Sequence, residues 1–231
     1  KNSSGTISKP HKIDIIPIKI MNKKLVIVDY GMGNLHSLKR MVSHHNIPVT
    51  ISNKESKLLT ATHIILPGVG HFGQAMEQLK RNELIEVLNH LALEEKRAFL
   101  GICLGMQLMT SASEEGDCEG LGWFQCKTVN LQVHTAHQIK IPHLGWNTLR
   151  IKNDNKILTD ISPSDEMYFV HGFGVVEAME EQVLCTTAYG VEFVSGLCKN
   201  NLVGLQFHPE KSHENGQRIL SNFIKTCIDH E

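Results

Sequence analysis

Cys103 lies between two glycines at the end of an apolar run, in the segment Gly-Ile-Cys-Leu-Gly of residues 101–105. This spacing is typical of a nucleophile on a sharp turn from strand to helix, because such a turn brings the flanking residues against neighbouring backbone, where a Cβ would clash. The N-terminus of the helix that follows would favour the thiolate. The pattern predicts a cysteine nucleophile; a cysteine buried in a core strand is the alternative.

A second segment, residues 203–212, ends an apolar strand with a histidine, a proline and a carboxylate. In extended backbone, His208 and Glu210 would lie on the same side of Pro209, so the carboxylate could accept a hydrogen bond from the imidazole Nδ1–H. A base with its own orienting group is what a cysteine nucleophile requires. The alternatives are a structural or surface histidine and an exposed pair of Glu210 with Lys211.

A third segment, Leu-Pro-Gly-Val-Gly-His-Phe-Gly at residues 66–73, follows a short apolar strand. Its glycines at 68 and 70 allow backbone N–H groups to turn toward a cleft, as the oxyanion of a tetrahedral adduct requires. A plain turn between a strand and a helix explains the same residues equally well.

The elements that would position these segments alternate between strand and helix in the first half of the chain. The expected strands and helices of this half are 25–29, 35–42, 49–52, 63–66, 72–95 and 98–102. This alternation predicts an α/β fold with a mostly parallel sheet flanked by helices, and ligands bind at the carboxyl ends of such strands. Short, antiparallel strands and a closing helix are expected in the second half, at 123–129, 139–141, 167–170, 193–198, 202–207 and 212–227.

Length and composition fit one compact domain. The chain has 231 residues, 41% of them hydrophobic and 20% charged, which is enough for a complete core. Residues 1–22 are polar and then isoleucine-rich around a proline, so we expect a poorly ordered leading segment followed by the domain at 23–231.

The net charge of −1 and the scattered cysteines indicate which partners and which cellular compartment to expect. A near-neutral chain without a run of basic residues interleaved with aromatic ones is not expected to bind nucleic acid. The six cysteines form no C-x-x-C pair, which favours reduced thiols and a cytoplasmic protein. No apolar stretch approaches the roughly 18 residues of a membrane span. We therefore expect neither nucleic acid nor a membrane as a partner.

Taken together, five segments resemble the class I glutamine amidotransferases, and within them the glutaminase subunits of imidazole glycerol phosphate synthase. Matching segments run in order from about residue 23 to residue 228. They are residues 67–70 (Pro-Gly-Val-Gly), 101–107 (Gly-Ile-Cys-Leu-Gly-Met-Gln), 142–147 (Pro-His-Leu-Gly-Trp-Asn), 168–171 (Tyr-Phe-Val-His) and 206–212 (Gln-Phe-His-Pro-Glu-Lys-Ser).

The resemblance implies hydrolysis of L-glutamine to glutamate and ammonia through a thioester on Cys103. His208 would act as base and then as acid, and Glu210 would orient it. No metal or cofactor is implied.

By the same matching, the N–H groups of Leu104 and of Val69 or Gly70 would hold the oxyanion. Gln107 and Tyr168 would help to bind glutamine.

The resemblance also implies a partner, a (β/α)₈ barrel cyclase in a heterodimer, with Lys211 at the interface. The ammonia would serve histidine biosynthesis. Where the family commonly has Ser-Tyr after Tyr-Phe-Val-His, this chain has Gly172 and Phe173. A related subunit that supplies ammonia for amidation of bacterial surface sugars is the first alternative. The others are a stand-alone cysteine hydrolase and a non-catalytic subunit.

Overall fold

The computed structural model describes residues 23–135 and 138–225. The strands are β1 Leu25–Val28, β2 Val49–Ser52, β3 His63–Leu66, β4 Ala98–Ile102, β5 Thr110–Ser113, β6 Cys118–Glu119, β7 Phe124–Asn130, β8 His143–Thr148, β9 Arg150–Ile151, β10 Glu166–His171, β11 Phe173–Gly174, β12 Val183–Tyr189, β13 Val191–Lys199 and β14 Leu202–Leu205. The α-helices are α1 Leu35–Val42, α2 Glu55–Leu58, α3 Phe72–Arg81, α4 Leu84–Asn89, α5 Leu104–Leu108 and α6 His213–Lys225. The leading segment expected at 1–22 lies outside the described residues, as does the end of the closing helix.

An eight-stranded mixed sheet forms the centre of the molecule, in the order β2-β1-β3-β4-β14-β13-β12-β9. The five strands from β2 to β14 are parallel, and β13, β12 and β9 continue the sheet in antiparallel fashion. A two-stranded ribbon of β10 and β8 and a smaller sheet in the order β11-β7-β5-β6 complete the strands. The predicted α/β class with short antiparallel strands in the second half is confirmed.

Both faces of the large sheet are covered, as the apolar strands require. Along β1, Val26 and Val28 belong to one apolar core and Leu25 and Ile27 to the other, because successive side chains of a strand point to opposite faces. The strand β4 is buried at all five positions. This double burial explains why β1, β4 and β14 are apolar runs that do not alternate with polar residues, unlike the partly exposed edge strand β2.

The strand predicted at 139–141 is wrong. These residues form no strand, Ile141 is 41% exposed, and the ribbon begins only at His143. The proline at 142 has no N–H to donate to a neighbouring strand, which explains the later start. The strands β5, β6, β8, β9, β11 and β12 were not expected. Within the described ranges, no helix is long and apolar enough to cross a membrane.

Candidate active site

Three neighbouring parallel strands, β3, β4 and β14, bring the three predicted segments together. Leu66 at the end of β3 pairs with Gly101 of β4, and Leu205 at the end of β14 pairs with Ile102. The turn after β3, the turn after β4 and the residues after β14 therefore leave the sheet at the same edge. Segments separated by up to about 140 residues meet there because parallel strands share their carboxyl ends.

Cys103 sits on a strained turn between β4 and α5. Its φ of 53° and ψ of −110° are rarely adopted by a residue with a side chain. A Cβ on Gly105 would overlap the carbonyl oxygen of Leu66, and one on Gly101 would overlap the Met109 sulfur. The Cys103 N–H donates to the Leu205 carbonyl over 2.7 Å, which ties the turn to β14. The glycine spacing thus has the steric cause that the sequence predicted.

The turn after β3 is held in place by Tyr30. The Tyr30 hydroxyl donates to the Pro67 carbonyl over 2.6 Å, and burial, followed by the nearby Cys103, raises the pKa of this phenol well above its ordinary value. A Cβ on Gly68 would lie 2.6 Å from the same hydroxyl. Gly70 has a φ of +112°, a conformation that favours glycine. The turn therefore has a fixed backbone, as a preorganised oxyanion site requires.

His208 and Glu210 form a buried pair. Nδ1 of His208 lies 2.8 Å from Oε1 of Glu210, and their side chains are only 1% and 2% exposed. The expected extended backbone across Pro209 is wrong, because Pro209–Lys211 is a short 3-10 helix. The Ser212 hydroxyl closes this turn by donating to the His208 carbonyl over 2.7 Å. The predicted contact is present, but a tight turn makes it.

The charges around His208 favour its protonated form. Burial alone would lower the pKa of His208, but the negative charges of Cys103 and Glu210 and the hydrogen bond to Glu210 outweigh burial and raise this pKa to about 9. Within the described chain, Nε2 of His208 is buried without a hydrogen-bond partner. The free nitrogen of a charged imidazole beside a cysteine can donate a proton to a leaving group.

A cleft of about 160 Å³ opens beside the cysteine. The lining residues are Val69, Gly70, Cys103, Leu104, Gln107, Glu115, Val170, His171, Gly172 and Phe173. This set contains the candidate nucleophile, the three candidate oxyanion residues and one of the two candidate glutamine-binding residues.

The Gln107 amide is oriented by two hydrogen bonds. Its Nε2 donates to the Phe173 carbonyl over 2.9 Å and to Oε1 of Gln206 over 3.0 Å. Both N–H groups are thereby used, so Gln107 can offer a ligand only the acceptor Oε1. Phe173, one of the two residues that depart from the family pattern, contributes its backbone carbonyl here, so its side chain can differ without loss of this contact.

Glu115 was missed by sequence reasoning. Its carboxylate lines the cleft and accepts a hydrogen bond from the Phe72 N–H, the first N–H of α3, over 2.8 Å. It lies in the turn between β5 and β6, in no motif that indicates a ligand. Only the fold brings it across 43 residues to Phe72, so local spacing carries no signal for it.

A second histidine pair adjoins the cleft. His171 Nδ1 lies 2.8 Å from the Phe173 carbonyl, and His143 Nδ1 lies 3.2 Å from His171 Nε2. Nδ2 of Asn147 donates to His143 Nε2 over 3.3 Å. Burial lowers the pKa of His143 to about 4 and is the largest cause that lowers the pKa of His171 to about 3. Both imidazoles are therefore neutral at pH 7, and each is donor at Nδ1 and acceptor at Nε2.

Tyr168 and Lys211 do not line the cleft. Together with Trp146 they form a separate and more exposed group. The Lys211 ammonium is 5.6 Å from the centre of the Tyr168 ring, and Trp146 packs edge-on against the same ring. Trp146 also stacks on His213 and is 42% exposed, and Leu144 on the same ribbon is 63% exposed. The predicted part of Tyr168 in glutamine binding stays a prediction.

Comparison with known proteins decides the family. The model of the class-I glutamine amidotransferases matches residues 26–227. The chain belongs to this family. Its enzymatic class, glutamine amidotransferase, agrees with a cysteine, a histidine and a carboxylate at one edge of the sheet.

Among the family's members, similar relatives are named as subunits of one synthase. The chain is 43% identical to imidazole glycerol phosphate synthase subunit HisH 2 of Methanococcus maripaludis, over 87% of this chain and 98% of that protein. It is 41% identical to the subunit HisH of Bacillus subtilis, over 88% and 96%. The solved structure of PurLQS from Thermotoga maritima contains a chain that superposes with a TM-score of 0.67 at 19% identity, covering 88% and 98%, which shows the shared fold.

Proposed function

We propose that the chain is the glutaminase subunit of an imidazole glycerol phosphate synthase, which hydrolyses L-glutamine and delivers the ammonia to a cyclase subunit in histidine biosynthesis. The buried His208–Glu210 pair at the Cys103 turn is the observation that supports the hydrolysis. The names of relatives that match over nearly their whole length support the synthase rather than amidation of surface sugars.

In the proposed first step, the Cys103 thiolate attacks the side-chain carboxamide carbon of glutamine and a C–S bond forms. His208 donates its Nε2 proton to the amide nitrogen, the C–N bond breaks, and ammonia leaves. Glu210 keeps the proton of His208 at Nδ1 and stabilises the imidazolium. The pKa of about 9 means that His208 already holds the required proton at pH 7.

In the second step, neutral His208 takes a proton from water, whose oxygen attacks the thioester carbon. The C–S bond breaks, the product leaves as the side-chain carboxylic acid and releases its proton to solvent to become glutamate, and the thiolate and imidazolium are restored. In both steps negative charge develops on the former carbonyl oxygen. We assign its stabilisation to the N–H of Leu104, at the start of α5, and to that of Val69 or Gly70 in the turn after β3.

The cleft also contains hydrogen-bond acceptors that could bind the α-ammonium group of glutamine. We assign the α-ammonium group to the acceptors Oε1 of Gln107 and the carboxylate of Glu115, because both face the cleft and a cation requires acceptors. The ring of Tyr168 is proposed to close the site from outside, beside Lys211.

The proposed partner is a (β/α)₈ barrel cyclase that binds the surface around Leu144, Trp146 and Lys211. Large exposed apolar side chains with a cation beside them fit a protein interface. A covered path between the two subunits would keep the product as NH₃, since ammonium has no lone pair for attack. The cytoplasmic location expected from the cysteines stays a prediction.

The test is to measure glutamate release and turnover of the aminoimidazole intermediate by the chain with and without the cyclase. We expect slow glutamate release alone and a large rise with the cyclase and its ligand. In the complex, Cys103→Ala should abolish glutamine-dependent turnover and leave ammonia-dependent turnover intact. The Cys118→Ala variant is a matched control, because this cysteine lies on the surface strand β6. Glutaminase activity without turnover of the imidazole intermediate would contradict the synthase and favour the surface-sugar role.

A further inference from the structure

Gln206 is a completely buried amide beside the proposed nucleophile. It directly follows β14, lies two residues before His208, and has no exposed surface. Its backbone N–H donates to the Ser195 carbonyl over 3.0 Å, which fixes the start of its side chain against β13. A buried primary amide must place both its oxygen and its NH₂ group, because an unpaired polar group in the core is costly.

The contacts of Gln206 leave only one orientation of its amide. Oε1 accepts the hydrogen bond from Gln107 Nε2 over 3.0 Å, so Nε2 points the other way, toward the sulfur of Cys103 at 3.7 Å. Gln107 cannot rotate to reverse this arrangement, because its second N–H is held by the Phe173 carbonyl over 2.9 Å. The hydrogen bonds of Gln107 therefore orient Gln206 so that an N–H of its amide points at the sulfur.

A hydrogen-bond donor that faces the sulfur of Cys103 favours the deprotonated form of this side chain. An amide NH₂ group has no acceptor, so it stabilises a thiolate more strongly than it stabilises a thiol. The Val170 carbonyl, which lies 3.9 Å from the sulfur, is an acceptor and therefore favours the thiol. His208 can supply a proton and a charge, but its charge disappears when it acts as a base, whereas the Gln206 donor stays.

We propose that Gln206 is a catalytic residue that donates a hydrogen bond to the Cys103 thiolate, in an orientation set by Gln107. This inference rests on the proposed function in that Cys103 is the nucleophile. In the resting enzyme the bond raises the thiolate population. In the second step, where the C–S bond breaks and the electron pair returns to sulfur, the same bond stabilises the leaving thiolate.

The test compares two substitutions at this position. Gln206→Met keeps the length of the side chain and removes the donor. Gln206→Glu keeps an oxygen that can accept from Gln107 but places a carboxylate oxygen against the sulfur. The readout is the rate at which iodoacetamide alkylates Cys103 as a function of pH, followed by mass spectrometry of the peptide that contains it, with the steady-state kinetics of glutamate release beside it.

We expect Gln206→Met to reduce alkylation of Cys103 about tenfold on the acid side of the profile and to move the midpoint up by about one pH unit, which is a typical effect of a hydrogen bond to a charged group. Gln206→Glu should move the midpoint further in the same direction, because the carboxylate repels the thiolate. The kcat for glutamate release should fall in both variants, and KM should change little.

A matched control exists in Gln182, another buried glutamine whose Nε2 donates to a sulfur, that of Met179 at 3.4 Å, away from the cleft. Gln182→Met should leave the alkylation profile of Cys103 and the kinetics unchanged. Wild-type alkylation profiles in both folded Gln206 variants would overturn the proposal. Alkylation needs no glutamine, so this test is independent of the test of the synthase. The pH midpoint of Cys103 alkylation can be compared between wild type and variants even if the protein hydrolyses no glutamine.

Discussion

Two pairs that contain buried histidines lie close to Cys103 and its cleft, which only His171 among them lines, and the pKa values of their histidines shift in opposite directions. His208 faces a carboxylate and a sulfur, and its pKa rises to about 9. His143 and His171 face each other and neutral groups, and burial lowers their pKa values to about 4 and about 3. Burial disfavours the charged form in all three. The charge of the hydrogen-bonded partner therefore decides whether a buried histidine carries a proton.

The two pairs also affect each other. Burial is the main cause of the low pKa of His171, and the neighbouring His143 and His208 lower it further. One charged imidazole thus lies close to a neutral pair. We infer that the two pairs have different roles. His208 transfers protons, and the pair of His143 and His171 orients the Phe173 carbonyl, which accepts a hydrogen bond from Gln107.

Replacement of the charged histidine should have the largest effect. His208→Asn removes the group placed to give a proton to the leaving ammonia, and kcat for glutamate release by the complex should fall about 10²–10⁴-fold. His171→Asn retains a donor for the Phe173 carbonyl, and we expect a loss at least about tenfold smaller. Steady-state glutamate release by the two complexes checks the order. Equal losses would show that the neutral pair takes part in proton transfer.

Removal of the carboxylate should have the next largest effect. Glu210→Gln keeps a polar group at Nδ1 but removes the negative charge, so the pKa of His208 should fall from about 9 toward its ordinary value and the loss of kcat should be smaller than for His208→Asn.

The same substitution should change the stability of the protein at alkaline pH. Because the pKa of His208 is higher in the folded than in the unfolded chain, its contribution is complete below pH 6.5 and is lost as the pH rises toward about 9. Urea unfolding at pH 6.5 and pH 9 should show a smaller difference for Glu210→Gln than for the wild type. An unchanged difference would mean that Glu210 does not hold the charge of His208.

The sequence predicted the charged pair better than the neutral one. Cys103, His208 and Glu210 stand in short motifs whose glycines and spacing reflect local chemistry, and the parallel strands carry these motifs to one edge. Gln206 stood inside such a motif, but its role depends on Gln107, 99 residues away. His143 and His171 meet only through the register of β8 with β10. Contacts that depend on sheet register leave no spacing in the sequence.

The neutral pair should make the protein sensitive to acid. Since the pKa values of His143 and His171 are lower in the folded than in the unfolded chain, the unfolded chain takes up protons first as the pH falls below about 6.5. The free energy of unfolding should fall by up to about 1.4 kcal/mol per pH unit for each histidine between pH 6.5 and pH 4. Urea unfolding across this range should show a slope that His143→Gln reduces.

A surface histidine provides the control for this slope. The hydrogen bond that His90 donates to Glu94 is the main cause that raises the pKa of His90, so this histidine titrates above pH 6.5. His90→Gln should therefore leave the slope between pH 6.5 and pH 4 unchanged. A reduction as large as that of His143→Gln would mean that the loss of any histidine, rather than of the buried pair, accounts for the effect.

The smallest expected effect comes from giving the neutral pair a carboxylate of its own. In Asn147→Asp, the new carboxylate needs a proton on Nε2 of His143, while Nδ1–H must still serve Nε2 of His171. His171 cannot exchange its roles, because its Nδ1–H is held by the Phe173 carbonyl. The two hydrogen bonds of His143 can then coexist only if it is an imidazolium, so its pKa should rise from about 4 by about one unit. NMR titration of the histidine ring protons checks this shift, with Asn147→Ala as the uncharged control. If both variants titrate alike, the charge of the partner is not what distinguishes the two pairs.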